Sequence, residues 1–149
     1  MSKPTGHTVW IQRNLAKCEQ PSPVSWDDIE RQADNYWSAY RPLVQEIRAR
    51  GMDRSLYGGI GLMGFSLSMG GKAGWDDPYL NISHSSRNPG HLTFKYIGSN
   101  RDHRQDWRAT YPPEQVLSAF YRFVTRVGWF PEGHPMLAGL ENGIPHEQA

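Results

Sequence analysis

At 149 residues the chain is long enough for one ordinary domain with a real core, and its formal net charge of +1 excludes whole-molecule attraction to nucleic acid or anionic lipid. Hydrophobic residues make up only 38%, but six Trp, seven Tyr and five Phe supply bulky anchors, which predicts a small aromatic core with generous loops. The single Cys18 excludes an internal disulfide and a cysteine-rich zinc site; with no apolar run of membrane length and no signal-like hydrophobic stretch in MSKPTGHTVW, the expectation is a cytoplasmic protein without a membrane partner.

Met1 to Gly6 reads as a loose leader, and Thr8 to Arg13, centred on Val9 and Ile11, as a short strand. After a proline-bearing connector, Ser25 is placed to cap a helix beginning at Trp26, with Asp27 and Asp28 favouring its positive end. Ile29, Ala33, Tyr36, Trp37 and Tyr40 recur at helical spacing, Pro42 should break or kink the helix, and Leu43, Val44 and Ile47 continue the stripe until Gly51 closes it. In Tyr57 to Gly71, Met63, Phe65, Leu67 and Met69 alternate with Gly64, Ser66 and Ser68. That is the pattern of a strand with one bulky and one bare face, the bare one suited to close backbone packing or to a ligand. Leu80, Ile82 and His84 form a further alternation, followed by a turn and then by Leu92, Phe94 and Tyr96, so an antiparallel meander is expected.

Trp107 and Ala109 begin another short strand, and Pro112 and Pro113 then sit where a helix can start without losing a hydrogen bond. Val116, Leu117, Phe120, Val124 and Val127 form its apolar stripe, Glu114, Ser118, Arg122 and Arg126 lie off it, and Gly128 supplies a left-handed cap. The tail from about Pro135 has little periodicity and reads as an arm or disordered end. These readings define one α+β domain over residues 1–149, with about five mostly antiparallel strands and two principal helices.

Catalytic and metal patterns mostly fail. Gly70-Gly71-Lys72 lacks the Ser or Thr and the first Gly of a phosphate loop. His84 and His91 flank a turn without a third ligand, so no metal or cofactor is expected. Asp102, His103 and Asp106 are acid and base types, but their neighbours Arg101, Arg104 and Arg108 favour a salt-bridged hairpin tip over a catalytic group. Charge is nonetheless uneven: Arg87, Lys95, Arg101, Arg104, Arg108, Arg122 and Arg126 face only Asp102, Asp106 and Glu114 over residues 87–126, which predicts a basic face. Arginines beside Trp107 are the ingredients of single-strand binding, but their spacing gives no continuous stripe and no named nucleic-acid motif is present.

The segment YPPEQVLSAFYRFVTRVGWFPE, Tyr111 to Glu132, resembles the closing part of bacterial immunity proteins of polymorphic-toxin and contact-dependent inhibition systems. Those proteins have a strand-rich body, then a proline-initiated helix with an aromatic residue and a Gly-x-x-Pro turn; Phe120, Phe123 and Gly128-Trp129-Phe130-Pro131 hold comparable places. The usual Trp after the final Pro is replaced by Glu132-Gly133-His134. The resemblance implies a non-enzymatic cytoplasmic antidote whose partner is a cognate toxin protein. The alternatives are a nucleic-acid-binding or processing protein and a small-ligand module using the bare strand face. Two loops combine a tryptophan with charges and are not needed for the core, so the expected contact residues are Trp75, Asp76, Asp77, Arg101, His103, Arg104 and Trp107.

Overall fold

A computed structural model describes residues 26–35, 38–60, 64–69, 77–99 and 102–146. The expected leader, the Thr8–Arg13 strand, the Ser25 cap and the Gly70–Lys72 motif lie outside these residues. The described chain is an α+β domain built on a five-stranded antiparallel sheet: β1 (Leu56–Ile60), β2 (Gly64–Met69), β3 (Tyr79–His84), β4 (Leu92–Ile97) and β5 (Trp107–Tyr111). Each strand pairs with its sequence neighbour, so the sheet is a meander with β1 and β5 at its edges.

The stretch read as one strand from Tyr57 to Gly71 is a hairpin of two, β1 and β2, with Ile60 opposite Phe65. The alternation read for Phe65, Leu67 and Met69 holds within β2. At Gly64 on its bare side the close neighbour is backbone, because a Cβ there would overlap the Ile82 carbonyl of β3. A helix side chain approaches closely at Gly58 instead, where a Cβ would run into Ile29.

The three α-helices of the described residues cover one face. The first, α1 (Trp26–Asn35), lies over β1, where Trp26 Nε1 donates to the Leu56 carbonyl at 3.1 Å. A 3-10 turn over Ser38–Tyr40 leads into α2 (Arg41–Ala49), with Pro42 in its first turn. The expected long helix is therefore divided upstream of the proline, which occupies a position where its missing N–H is not needed. Arg48 of α2 ties the two together through Asp27, at 2.7 Å, and Glu30. The third helix, α3 (Val116–Arg126), follows a 3-10 turn at Pro113–Gln115 and buries Val116, Ala119, Phe120, Phe123 and Val124. It ends as the sequence predicts: Gly128 is left-handed at φ 77°, its N–H reaches the Thr125 carbonyl, and the Trp129 N–H returns to Val124 at 2.9 Å.

Side chains of Leu67, Leu80, Ile82, Leu92 and Phe94 are fully buried beneath the helices. The opposite face carries Gly59, Ser66, Asn81, Lys95 and Arg108 in one row across all five strands. That alternation is what places Arg108 outward and its neighbours Trp107 and Ala109 toward α3.

The tail departs from the sequence expectation. Residues 135–137 and 140–142 form 3-10 turns that bury Leu137 and Leu140. Arg50, at the end of α2 with its side chain 1% exposed, holds them: it pairs with Glu46 at 2.8 Å and donates to the carbonyls of Met136, Ala138 and Ile144 at 3.0, 2.7 and 2.9 Å. Glu46 in turn accepts the His146 N–H at 2.8 Å. A segment without periodicity is thus fixed by polar bonds to its backbone, which leave no pattern in side-chain hydrophobicity.

Candidate functional site: a cationic groove at the β5 edge

Because Tyr79 pairs with Ile97 and Trp107 with Tyr96, the segment entering β3 and the connection from β4 to β5 emerge at the same end of the sheet. Of the expected contact residues, Asp77, His103, Arg104 and Trp107 are described. Trp75, Asp76 and Arg101 lie outside the described residues. Asp77 is 1% exposed, so it is interior and not a contact group.

His103 and Arg104 are exposed on a 3-10 turn between β4 and β5, and both are committed to that turn. Arg104 grips Asp102 with Nε at 2.9 Å and Nη2 at 2.6 Å, while its backbone N–H is capped by the same carboxylate. The guanidinium holds the Asp102 pKa down at about 2. His103 Nδ1 bonds Asp106 Oδ2 at 2.6 Å, and Asp106 Oδ1 accepts the Gly98 N–H at 2.9 Å. This is the salt-bridged hairpin tip that the residue types suggested. Trp107 is half-buried and turned toward α3, its ring 5.7 Å from that of Phe123 and 6.1 Å from that of Tyr96.

What lies beside Trp107 is more informative. A groove of about 690 Å³ opens between β5 and α3, walled by Trp107 and Tyr111 from the strand and by Ala119, Arg122 and Arg126 from the helix. A second recess of about 480 Å³ shares Trp107 and Arg126 and extends the groove to Arg104 and Asp106. Arg122 and Arg126 stand one helical turn apart, and Arg108 rises from the other side of the strand. All three are exposed, and among the described residues none forms an ion pair. Two carboxylates, Asp106 and Glu132, stand in the same lining, and the first is occupied by His103 and Gly98. Tyr121 also lines the groove, its phenol held above the usual pKa by desolvation and by Glu141 and Glu132.

Guanidinium groups stay charged and bind carboxylate or phosphate by paired hydrogen bonds, so the wall they form suits anion binding and not proton transfer. Elsewhere, His84 packs on the Tyr40 ring at 4.6 Å, and burial lowers its pKa. Among the described residues no group of three His, Cys, Asp or Glu side chains is placed to hold a metal ion, and no helix is long and apolar enough to cross a membrane.

No protein-family model, curated protein or solved structure matches the chain.

The sequence puts Arg122 and Arg126 off the apolar stripe of the helix and among the cations of the expected basic face. The excess of basic residues over 87–126 is the signal available in the sequence; the position of β5 at the sheet edge makes it a candidate site.

Proposed function

We propose that the chain is a non-enzymatic antidote that binds an acidic surface of a toxin protein and so masks it. The observation that carries this reading is the groove along β5, where Arg108, Arg122 and Arg126 are exposed beside the aromatic wall of Trp107 and Tyr111 and, among the described residues, form no ion pair. Aromatic burial supplies affinity in such an interface and charge sets orientation and association rate. The similarity of Tyr111 to Glu132 to immunity proteins supports the same reading, since that segment contains the α3 wall of the groove.

The test compares tagged wild type with Arg122→Glu/Arg126→Glu, purified from the native host. A stoichiometric companion should be held by the wild type and bound more weakly by over about 2 kcal/mol in the variant, while melting is nearly unchanged because exposed charges contribute little to stability. The companion should arrest growth when expressed alone and cease to do so when the chain is supplied. A companion that is harmless alone, or whose toxicity the chain leaves intact, rejects the antidote reading.

A further inference from the structure

The two edges of the sheet are treated differently. At β1, Trp26 of α1 bonds the Leu56 carbonyl, and α1 lies over the strand. At β5, among the described residues, no backbone group bonds anything beyond β4: the strand is the last in the sheet, and the only side-chain bond from it joins Thr110 to Thr93 of β4. An edge strand with unpaired N–H and C=O groups is a template for another strand unless something covers or repels it.

Cations flank this edge on both faces of the sheet. Arg108 projects from the outer face, and its cross-strand neighbour is Lys95, also exposed, so two like charges stand directly opposite one another without a counter-ion among the described residues. On the helix face Arg122 and Arg126 overhang the groove beside β5. Side chains of a strand alternate between faces. An incoming strand would therefore meet Arg122 and Arg126 with one set of its side chains and Arg108 with the other. A basic segment is repelled on both faces, and a neutral one leaves the arginines unpaired.

We propose that β5 accepts a sixth strand, supplied by an extended acidic segment of the partner protein. The inference rests on the binding role given to this groove above, and it specifies how the groove is filled. Main-chain hydrogen bonds to β5 supply the pairing; carboxylates on both faces of the incoming segment meet the three arginines, and the groove along Trp107 and Tyr111 receives the apolar parts of its inward side chains. Arg108 then has two consequences: it keeps a second copy of this basic edge from pairing with β5, and it selects the acidic segment.

The experiment uses two capped peptides of equal charge, one repeating Glu-Glu-Val-Val and one repeating Glu-Glu-Pro-Pro, each of roughly eight residues, which puts carboxylates on both faces and at ~3.4 Å per residue is enough to span β5. The proline peptide retains the carboxylates, but its paired prolines remove N–H groups from whichever edge it turns to β5. Titration of the full chain should show the glutamate-valine peptide binding at least about tenfold more tightly, with hydrogen exchange slowed at the outward amides of residues 107–111. Arg122→Glu/Arg126→Glu should reduce that binding by at least about tenfold. Equal binding of both peptides without protection of β5 overturns strand addition, and so does failure of either to bind at millimolar concentration. Neither of those results touches the antidote reading, which stands or falls on companion capture and growth. Tighter binding of oligothymidylate than of the glutamate-valine peptide, with the same residues affected, overturns the inference in favour of a nucleic-acid strand.

Discussion

Replacing Arg50 by methionine removes the guanidinium that fastens the C-terminal segment while keeping most of the side-chain volume. If the segment stayed in place, Glu46 would be left as a buried charge without its partner, at about 3–5 kcal/mol, and the carbonyls of Met136, Ala138 and Ile144 would lose their donor at about 1–3 kcal/mol each. Release of the segment exposes Leu137 and Leu140 instead. That loses about 1.5–3 kcal/mol for each leucine, is offset in part by regained chain freedom, and lets water reach every stranded group. Release is the cheaper route. The variant should therefore lose about 3 kcal/mol in urea denaturation by opening locally while the sheet stays folded. Hydrogen exchange would show it directly: the amides of Leu137, Ala138, Asn142 and Ile144, bonded in wild type, should lose protection while those of β3 and β4 keep theirs. Glu46→Gln, which preserves an acceptor for the His146 N–H, should cost less. A wild-type midpoint in Arg50→Met with unchanged protection of residues 137–144 would show that the buried guanidinium is not what holds the tail.

Phe120→Ala, at a side chain 1% exposed in the middle of α3, should lose about 3–5 kcal/mol in the same assay, and an unchanged midpoint would mean that α3 is not the main cover of the sheet. Gly64→Ala forces a methyl into the Ile82 carbonyl and should cost at least about 2 kcal/mol by shifting the β2–β3 pairing; a neutral result in denaturation would refute the close approach. Burial holds His84 below its ordinary pKa of 6.5, so the unfolded chain takes up the proton first: the contribution is complete above pH 6.5 and is lost as pH falls toward the folded value. Melting temperature should fall on that side, and an NMR titration should place the His84 midpoint below 6.5; a midpoint at or above 6.5 would contradict it.

Local chemistry made α3 legible at both ends. Two prolines fix where it can start, Gly128 supplies the left-handed stop, and five apolar positions indicate which side is covered. Phe123 was missed because a single-stripe reading assumes that the helix meets only a sheet. Here Trp107, Tyr96 and Trp129 surround that ring at 5.7, 5.5 and 4.9 Å, and the buried arc is correspondingly wider. The β1–β2 hairpin was hidden because alternation describes each strand but does not mark the reversal between them. The tail was hidden for a different reason: its fixing bonds come from Arg50, 86 residues before Met136 in the chain, and end on carbonyls that every residue type possesses.

The candidate site shows the same limit from the other direction. A loop that joins tryptophan to charge is a reasonable place to look for an interface, yet a short loop also satisfies its own charges: Asp102 takes Arg104, Asp106 takes His103, and Asp77 is interior. Arginines on regular elements are less able to do this, because a strand and a helix hold their side chains at fixed directions. Arg108 is held opposite another cation, and Arg122 and Arg126 are held over an edge with no carboxylate in ion-pair reach among the described residues. The same rigidity also links the groove to the tail, since the 3-10 turn at Leu140–Asn142 packs against α3, the helix that supplies Arg122 and Arg126. A polar latch at Arg50 thus helps fix, through Leu140 and α3, the wall against which an incoming acidic strand would have to fit.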